Sequence, residues 1–315
     1  MDGTGVGWTE ETGPLPVLIA GATASGKSAV AVEVAERLGG EVIGVDSMQV
    51  YRGMDVGTAK PGPEERRRVP HHLVDVADVT EGFDAARFVV LAGEAVAAAR
   101  GRGRVPILCG GTGLYFNAWL NGLGTAPAPD AALRAELESM PTEALLDELA
   151  RKDWETFDEI DVANRRRVVR AVEVIRLTGQ PFSRQRARWP ERAASLAGRS
   201  FGLARERSDL ARRIELRVDA MFREGLVEEV RGLLERGLRG NRTAMQAIGY
   251  RQVVEHLEGT RGYLATVEEV KVRTRQYARR QGTWFRRQTD LEWLEVASGE
   301  GAGETAARMM ARMAT

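Results

Sequence analysis

The segment GATASGKS (21–28) constrains the fold of this chain more than any other stretch. It follows the apolar run PVLIA (16–20) and precedes a segment whose apolar residues have helical spacing. It matches the pattern G-x-x-x-x-G-K-[ST], in which backbone N–H groups of a glycine-rich turn and a helix N-terminus bind phosphate oxygens. The strand before it and the helix after it argue against a chance match. The motif alone does not say which phosphate compound is bound.

Short apolar segments alternate with helical segments in the first third of the chain. The runs EVIGV (41–45) and VPILC (105–109) are typical of buried strands, and residues 85–103 are typical of a helix. This alternation predicts a parallel sheet with helices on both faces. We therefore expect an α/β fold, with a P-loop parallel sheet core flanked by helices and a mostly helical insertion domain.

The composition of the chain changes near residues 123–130. Two prolines there precede a helix start at Asp130, and the following residues are mostly helical and charged. Further on, 209–237 is a long helical stretch interrupted at Gly225, and 268–288 is a basic helix. The divisions that we predict are a flexible tail at 1–14, a helical insertion at 123–197, and a catalytic core formed by 15–122 and 198–315.

Charge and composition exclude some classes of protein and leave others open. The formal net charge is +0, so charge alone makes no case for nucleic acid. Arginine supplies all but four of the 45 basic residues, and its planar fork suits phosphate and base stacking. The single cysteine, Cys109, cannot form an internal disulfide. No secretion signal and no apolar run of ~18 residues is visible, so we expect a cytoplasmic protein without membrane contact.

Three predicted strands end in segments that carry chemistry. The first ends at the 21–28 loop, the second at Asp46, and the third at the Gly-Gly-Thr turn of residues 110–112. In open α/β sheets, ligands bind beyond the carboxyl ends of the strands. A phosphate cradle, a carboxylate and a glycine-rich turn are therefore expected to meet in one crevice.

The polar side chains of this crevice allow several roles. Lys27 supplies a mobile positive charge, and the Ser28 hydroxyl is placed to ligate Mg²⁺ together with the phosphates. Asp46 is consistent with a water-mediated Mg²⁺ ligand, with a general base or hydrogen-bond acceptor for a nucleophile, or with a helix cap. Thr112 either donates to a bridging or departing oxygen or caps a helix. Spacing alone does not choose between these roles.

Six segments together resemble one known family. GATASGKS, DSMQVYRGMDVGTAKP, PHHLVDV, GGTGLYF, QAIGYRQ and RRQGTWFR occur in this order between about residues 16 and 290. In these segments the chain resembles the tRNA dimethylallyltransferase (tRNA isopentenyltransferase) family in its bacterial form, and the second segment is the most specific. The resemblance implies that the loop holds the pyrophosphate of dimethylallyl diphosphate. It also implies transfer of the dimethylallyl group to N6 of adenosine 37 in tRNAs that read codons starting with U, with Mg²⁺ required.

The resemblance assigns roles to individual residues. Asp46 takes the proton from N6, Thr112 lies near the reacting bridge, and Arg213 or Arg217 serves catalysis or diphosphate binding, with the choice open. The catalytic residues implied are Lys27, Asp46, Thr112, Arg213 and Arg217. The diphosphate-binding residues implied are Gly21, Ala22, Thr23, Ala24, Ser25, Gly26, Lys27 and Ser28, with Ser28 as the metal ligand.

The partners implied are the tRNA anticodon stem-loop and dimethylallyl diphosphate, and we expect a monomer. YARRQGTWFRR interleaves arginines with aromatics that stack on bases, although an amphipathic helix with a buried aromatic face would look similar. Gln246 departs from the family, since some members carry arginine there. The tRNA-binding residues implied are Asp46, Ser47, Met48, Gln49, Thr112, Arg134, Arg166, Arg167, Arg170, Gln246, Gly249, Tyr250, Arg251, Arg279, Arg280, Gln281, Trp284 and Arg286.

Three other functions compete with this interpretation. A P-loop small-molecule kinase would consume ATP, and a prenyltransferase acting on free adenylate would need no macromolecular acceptor. The helical insertion and the basic terminal helix favour a macromolecular acceptor over free adenylate. A tRNA-binding protein without catalysis is disfavoured by the intact loop and by Asp46.

Overall fold

The sheet of the protein is parallel throughout. The computed structural model describes residues 13–187, 196 and 198–313, and the predicted tail at 1–14 lies almost wholly outside them. In the described part of the chain the sheet has six strands in the order β3-β2-β4-β1-β5-β6. The strands are β1 (Val17–Gly21), β2 (Gly40–Val45), β3 (His71–His72), β4 (Val105–Gly110), β5 (Ser200–Ala204) and β6 (Glu292–Glu295).

Helices cover both faces of this sheet, which explains why its central strands are continuously apolar. Leu18 and Ala20 of β1 face one hydrophobic cluster, and Val17 and Ile19 face another on the opposite side. The α/β architecture predicted from the sequence is confirmed. The helices of the sheet unit are α1 (Lys27–Leu38), α2 (Pro63–Arg68), α3 (Ala85–Gly101), α4 (Gly113–Asn121), α9 (Arg207–Arg223), α10 (Leu226–Glu235), α11 (Tyr250–Leu257), α12 (Tyr263–Gln288) and α13 (Ala302–Met313).

The two sides of the sheet have different helices. Residues of α13 join the cluster around Val17 and Ile19, together with α1. Residues of α9 and α12 join the cluster around Leu18 and Ala20. None of the helices in the described part of the chain is both long and apolar enough to cross a bilayer.

A second unit is helical. Its helices are α5 (Ala131–Ser139), α6 (Thr142–Lys152), α7 (Trp154–Glu159) and α8 (Arg165–Thr178). The helix predicted to start at Asp130 does so, because the Asp130 carboxylate accepts a hydrogen bond from the N–H of Leu133. Its apolar core includes Leu145, Leu149 and Val172.

The helical unit begins at Gly122. The chain divides into Met1–Asn121 with Pro190–Thr315, and Gly122–Trp189. The predicted insertion, 123–197, begins one residue after the start of the second unit. Its predicted end falls among residues 188–195 and 197, which lie outside the described residues.

Candidate active site

The phosphate loop connects β1 to α1 at the carboxyl edge of the sheet. Gly26 caps α1 with a positive φ of 97°, and no side chain caps this N-terminus. Ala24 also has a positive φ, of 63°, which is uncommon for a residue with a side chain and is typical of functional loops. The first N–H groups of α1 are therefore available to an anion.

Lys27 lies in the first turn of α1, half-buried. Its Nζ donates to the carbonyl of Ala22 at 3.3 Å. Burial lowers the pKa of the Lys27 ammonium, as does the charge of Arg217, and the charge of Asp46 acts in the opposite direction. Burial also raises the pKa of Cys109 to about 12, so this thiol stays protonated.

Three arginines approach the loop from the α9 side. Arg213 Nε donates to the carbonyl of Ala24 at 2.9 Å, and Arg217 Nη1 donates to Thr23 Oγ1 at 3.3 Å. Arg205, directly after β5, donates to the carbonyl of Ser25 at 2.8 Å and pairs with Asp209. The structure thus brings both predicted arginines to the loop and adds a third.

These cations form a positive site. Burial lowers the pKa of both Arg213 and Arg217, and a neighbouring arginine lowers each further. Neither arginine, nor Lys27, forms a salt bridge with a carboxylate of the described residues. Clustered cations without carboxylate partners are stabilised by a bound anion.

Asp46 follows β2, and β4 lies between β2 and the strand of the phosphate loop. One oxygen of its carboxylate, Oδ1, accepts from the N–H groups of Met48 and Gln49 at 2.8 and 3.2 Å. These bonds fix the carboxylate at the strand end. They hold a turn and do not cap a helix, because residues 46–50 form no helix and the next helix in the described chain is α2, so the helix-cap role considered from the sequence is wrong. No residue of the described chain donates a hydrogen bond to Oδ2, so this second oxygen is open to a ligand.

Thr112 connects two strand ends. Its Oγ1 accepts from the N–H of Ser47 at 3.2 Å, and its own N–H donates to the carbonyl of Val45 at 3.2 Å. The Thr112 oxygen accepts the hydrogen bond from Ser47, so its O–H group can still donate a hydrogen bond to a ligand. The backbone contact is close: a Cβ at Gly110 would lie 2.0 Å from the Val45 carbonyl oxygen.

Helix α12 packs on the same turn through two side chains. The Gln281 amide donates to the carbonyl of Gly111 at 2.8 Å and accepts from the N–H of Thr23 at 2.9 Å. The Trp284 ring covers Gly113, where a Cβ would lie 2.1 Å from the ring. Both side chains were predicted to contact tRNA, and in the structure they contact the turn of residues 110–113.

The exposed side of α12 carries the predicted arginines. Arg279, Arg280 and Arg286 are exposed. The Arg280 guanidinium lies 6.0 Å from the centre of the Tyr277 ring, and that of Arg286 lies 4.8 Å from the Trp293 ring. This helix therefore has a buried side toward the crevice and a basic side toward solvent.

A buried tyrosine fixes the predicted tRNA-binding segment 246–251. Tyr250 is fully buried, and its hydroxyl donates to Glu229 Oε1 at 2.5 Å. Gln246 and Arg251 are exposed, and Arg251 pairs with Glu255 at 3.1 Å. Gly249, the N-cap of α11, is buried. The exposed side chains, rather than Tyr250, are those that can reach a ligand.

The predicted arginines of the helical unit fall into two groups. Arg134 and Arg170 both pair with the wholly buried Glu173, at 2.5 and 2.7 Å. Arg166 and Arg167 are exposed on the first turn of α8. Sequence reasoning missed Glu173, because a glutamate in a helical and charged segment gives no sign of burial.

The donor set fits a metal ion that is held mainly by phosphate oxygens. The Ser28 side chain is exposed in the first turn of α1. No group of three or more His, Cys, Asp or Glu among the described residues could hold a metal ion. Hard oxygen ligands from phosphates and one hydroxyl are typical of Mg²⁺.

Two further residues of the site were missed. Burial raises the pKa of Tyr277, and the nearby charge of Asp46 raises it further. Tyr277 lies one turn before Gln281 on α12, and that spacing could have indicated it. Arg205 follows β5, a strand that was not predicted from the sequence. No ligand-binding residue was therefore expected at its carboxyl end.

Known proteins match this chain over most of its length. The sequence model of the IPP transferase family matches residues 49–288. The tRNA dimethylallyltransferase of Geobacter metallireducens is 47% identical over 288 residues, covering 89% of this chain and 92% of that protein. The tRNA dimethylallyltransferase 1 of Trichlorobacter lovleyi is 44% identical over 298 residues, covering 93% and 98%.

The chain belongs to the IPP transferase family. Among solved structures, the full-length tRNA isopentenylpyrophosphate transferase of Bacillus halodurans matches with a TM-score of 0.69 and 39% identity, over 96% of this chain and 97% of that one. A eukaryotic dimethylallyltransferase described as acting on tRNA matches with a TM-score of 0.77 and 26% identity, over 94% and 77%. The IPP transferase match includes Thr112, both predicted arginines of α9, and Gln281.

Proposed function

We propose that this chain transfers a dimethylallyl group from dimethylallyl diphosphate to N6 of adenosine 37 in tRNAs that read codons starting with U. The observation that carries the proposal is the crevice at the sheet edge. It has cations without carboxylate partners around the phosphate loop, and a carboxylate, Asp46, at a nearby strand end. Membership of the IPP transferase family supports the choice of donor and acceptor.

The largest change in charge during the reaction is the negative charge that develops on the leaving diphosphate. The bond from N6 to the allylic carbon forms while the bond from that carbon to diphosphate breaks. Lys27, Arg213, Arg217 and the N–H groups of the loop stabilise the negative charge that grows on the departing diphosphate. The Thr112 hydroxyl donates a hydrogen bond to the bridging oxygen and keeps its proton.

Asp46 receives the proton that leaves N6. Its Oδ1 is fixed by two backbone N–H groups, so Oδ2 is held in one position to accept from the amine. A fixed acceptor is effective because it needs no rearrangement at the moment of reaction. The products are the modified adenosine, diphosphate and the protonated carboxylate, which then loses its proton to solvent.

Mg²⁺ is the cofactor that we propose, held by Ser28 and by the diphosphate oxygens. When bound, it would neutralise charge on the diphosphate. We further propose that the protein is a cytoplasmic monomer.

The acceptor adenosine has to leave the anticodon-loop stack to enter the crevice. Residues Asp46 to Gln49 and Thr112 border the base in this proposal. Gly249 and Tyr250 support the segment whose exposed side chains meet the RNA. Arg134 and Arg170 offer phosphates the donors that Glu173 leaves open. The side chains proposed to meet tRNA directly are Arg166, Arg167, Gln246, Arg251, Arg279, Arg280, Trp284 and Arg286.

The test is direct. The purified chain is incubated with Mg²⁺, labelled dimethylallyl diphosphate and an unmodified tRNA transcript that reads a UNN codon, and the RNA is digested to nucleosides. We expect labelled N6-(dimethylallyl)adenosine, and none from a matched transcript with guanosine at position 37. Consumption of ATP with unaltered RNA, or labelling of free AMP instead of tRNA, would contradict the proposal.

A further inference from the structure

Gln281 is buried, unlike the residues just before it on α12. Arg279 and Arg280 are exposed, whereas Gln281 is only 7% exposed. Its side chain points away from solvent and reaches the phosphate loop, 258 residues earlier in the sequence. A buried amide side chain is costly unless its donor and acceptor are both satisfied, and here both are.

The Gln281 amide bridges two parts of the site. Its oxygen accepts from the N–H of Thr23 at 2.9 Å, and its nitrogen donates to the carbonyl of Gly111 at 2.8 Å. Gly111 has no room for a side chain, because a Cβ there would lie 2.2 Å from the Gln281 nitrogen. The bridge therefore joins the loop after β1 to the turn after β4 through a single side chain.

The bond to Thr23 fixes one N–H of the loop. That N–H points to Gln281 and is not available to a phosphate oxygen. The Thr23 hydroxyl accepts a hydrogen bond from Arg217, and the carbonyl of the following residue, Ala24, accepts one from Arg213. The position of Thr23 thus depends on α12 as well as on α9.

Helix α12 is in turn fixed to the same turn. The Trp284 ring packs directly on Gly113. The Phe285 ring lies edge-on to Phe116 of α4, with centroids 5.9 Å apart. A displacement of α12 would consequently move the loop and the turn together.

We propose that Gln281 is a positioning residue that makes the shape of the phosphate loop depend on α12, the helix whose exposed side carries the arginines proposed for tRNA. This proposal rests on the proposed function, because it assumes that the loop binds diphosphate. It gives Gln281 a role in binding the prenyl donor that is separate from any contact with RNA.

The test compares Gln281→Met with Gln276→Met. Methionine is close to glutamine in shape but makes neither hydrogen bond, and Gln276 is an exposed glutamine on the same helix. Binding of inorganic diphosphate with Mg²⁺ is measured by calorimetry on the tRNA-free protein. We expect the affinity of Q281M to fall about 3- to 10-fold, as for the loss of one or two hydrogen bonds, and that of Q276M to stay unchanged.

A kinetic measurement separates positioning from RNA contact. With saturating donor, Q281M should lower kcat about 10-fold or more, because small misplacements of a site are costly, while KM for tRNA stays within about twofold. If Q281M is poorly folded by thermal unfolding, Gln281→Glu replaces it. Glutamate keeps the acceptor for Thr23 but loses the donor to Gly111, and its charge opposes the anion, so a fall in diphosphate affinity is again expected.

The outcomes are distinguishable. Unchanged diphosphate affinity and kcat in a folded Gln281 variant, with weakened tRNA binding, would overturn this inference and leave the proposed function intact. Failure of the wild-type protein to bind diphosphate would overturn the proposed function and this inference with it.

Discussion

At the scale of single residues, Asp46 and Thr112 each bind backbone through one atom and leave another group open to a ligand. Asp46 uses Oδ1 for the turn that follows it, and Thr112 uses its oxygen to hold Ser47. Each side chain is thereby fixed, and the remaining carboxylate oxygen or hydroxyl proton is directed by the bonds already made. Fixed groups of this kind are the ones that contribute most to a transition state.

Asp46→Asn tests the proton acceptor with little change in structure. The asparagine oxygen can still accept from the N–H groups of Met48 and Gln49, but the side chain no longer takes a proton. We expect prenyl transfer to fall about 10²- to 10⁴-fold, the usual contribution of a general base, with tRNA binding unchanged in a filter-binding assay.

Asp46→Ala is the companion variant, because it removes the turn contacts as well. It should be at least as inactive as Asp46→Asn and less stable to thermal unfolding. Turnover near the wild-type rate in Asp46→Asn would show that another group accepts the proton.

At the scale of elements, one glutamate of α10 organises a loop. The Glu229 carboxylate accepts from the N–H groups of Asp55, Val56 and Gly57 at 2.7–3.3 Å, and from the hydroxyl of Tyr250. It therefore joins the DVGTAKP segment to the start of α11. These two segments are far apart in the sequence, and nothing in their spacing shows that one carboxylate connects them.

Glu229→Ala should destabilise the fold. It leaves several N–H groups and a buried hydroxyl without their acceptor, and one such group costs about 1–3 kcal/mol. We expect the free energy of unfolding in urea to fall by about 2–3 kcal/mol.

The matched control is Glu228→Ala, on the adjacent residue of the same helix. The Glu228 side chain is 69% exposed, and its loss should change stability by less than about 0.5 kcal/mol. Equal effects of the two substitutions would show that the Glu229 contacts contribute nothing specific.

The elements that the sequence predicted well are those with long or regular patterns. The helical stretch 209–237 with its break at Gly225 appears as α9 and α10, and the basic helix 268–288 lies within α12. The strand β5, with sequence SFGLA, was missed because five residues with a central glycine carry little strand signal. It is nevertheless buried throughout and pairs with β1, a tertiary fact that local pattern does not contain.

At the scale of the whole molecule, the phosphate loop and the Gly-Gly-Thr turn were predictable, because strand ends in a parallel sheet converge by topology. The residues that hydrogen-bond to these two segments could not be predicted. Gln281 and Arg205 reach the loop from distant parts of the chain, and only the packing of α12 and β5 brings them there. The sequence thus predicted the main residues of the site, whereas the residues that hold them in position depend on tertiary packing.

The exposed arginines of α12 give a prediction for the molecule as a tRNA-binding surface. Replacing Arg279 and Arg280 by glutamine should weaken tRNA binding and reduce the slope of log affinity against log salt by about 1–2, because each phosphate contact contributes about 0.7–0.9.

The control is the same change at Arg308 and Arg312, on α13, which packs on the opposite face of the sheet. That pair should leave affinity and slope unchanged. A salt slope in the Arg279 and Arg280 variant equal to that of the wild type would exclude this side of α12 from the RNA interface.

The pairing of β1 with β5 has a consequence for biosynthesis. The strand that carries the phosphate loop has one neighbour near residue 107 and another near residue 201, and the loop itself is held by a side chain at residue 281. Contacts between such distant positions form late and slowly. A chain still emerging from the ribosome consequently has the motif but no working anion pocket until almost all of it has been synthesised, and C-terminal truncations that remove α12 should lack donor binding even though the motif is intact.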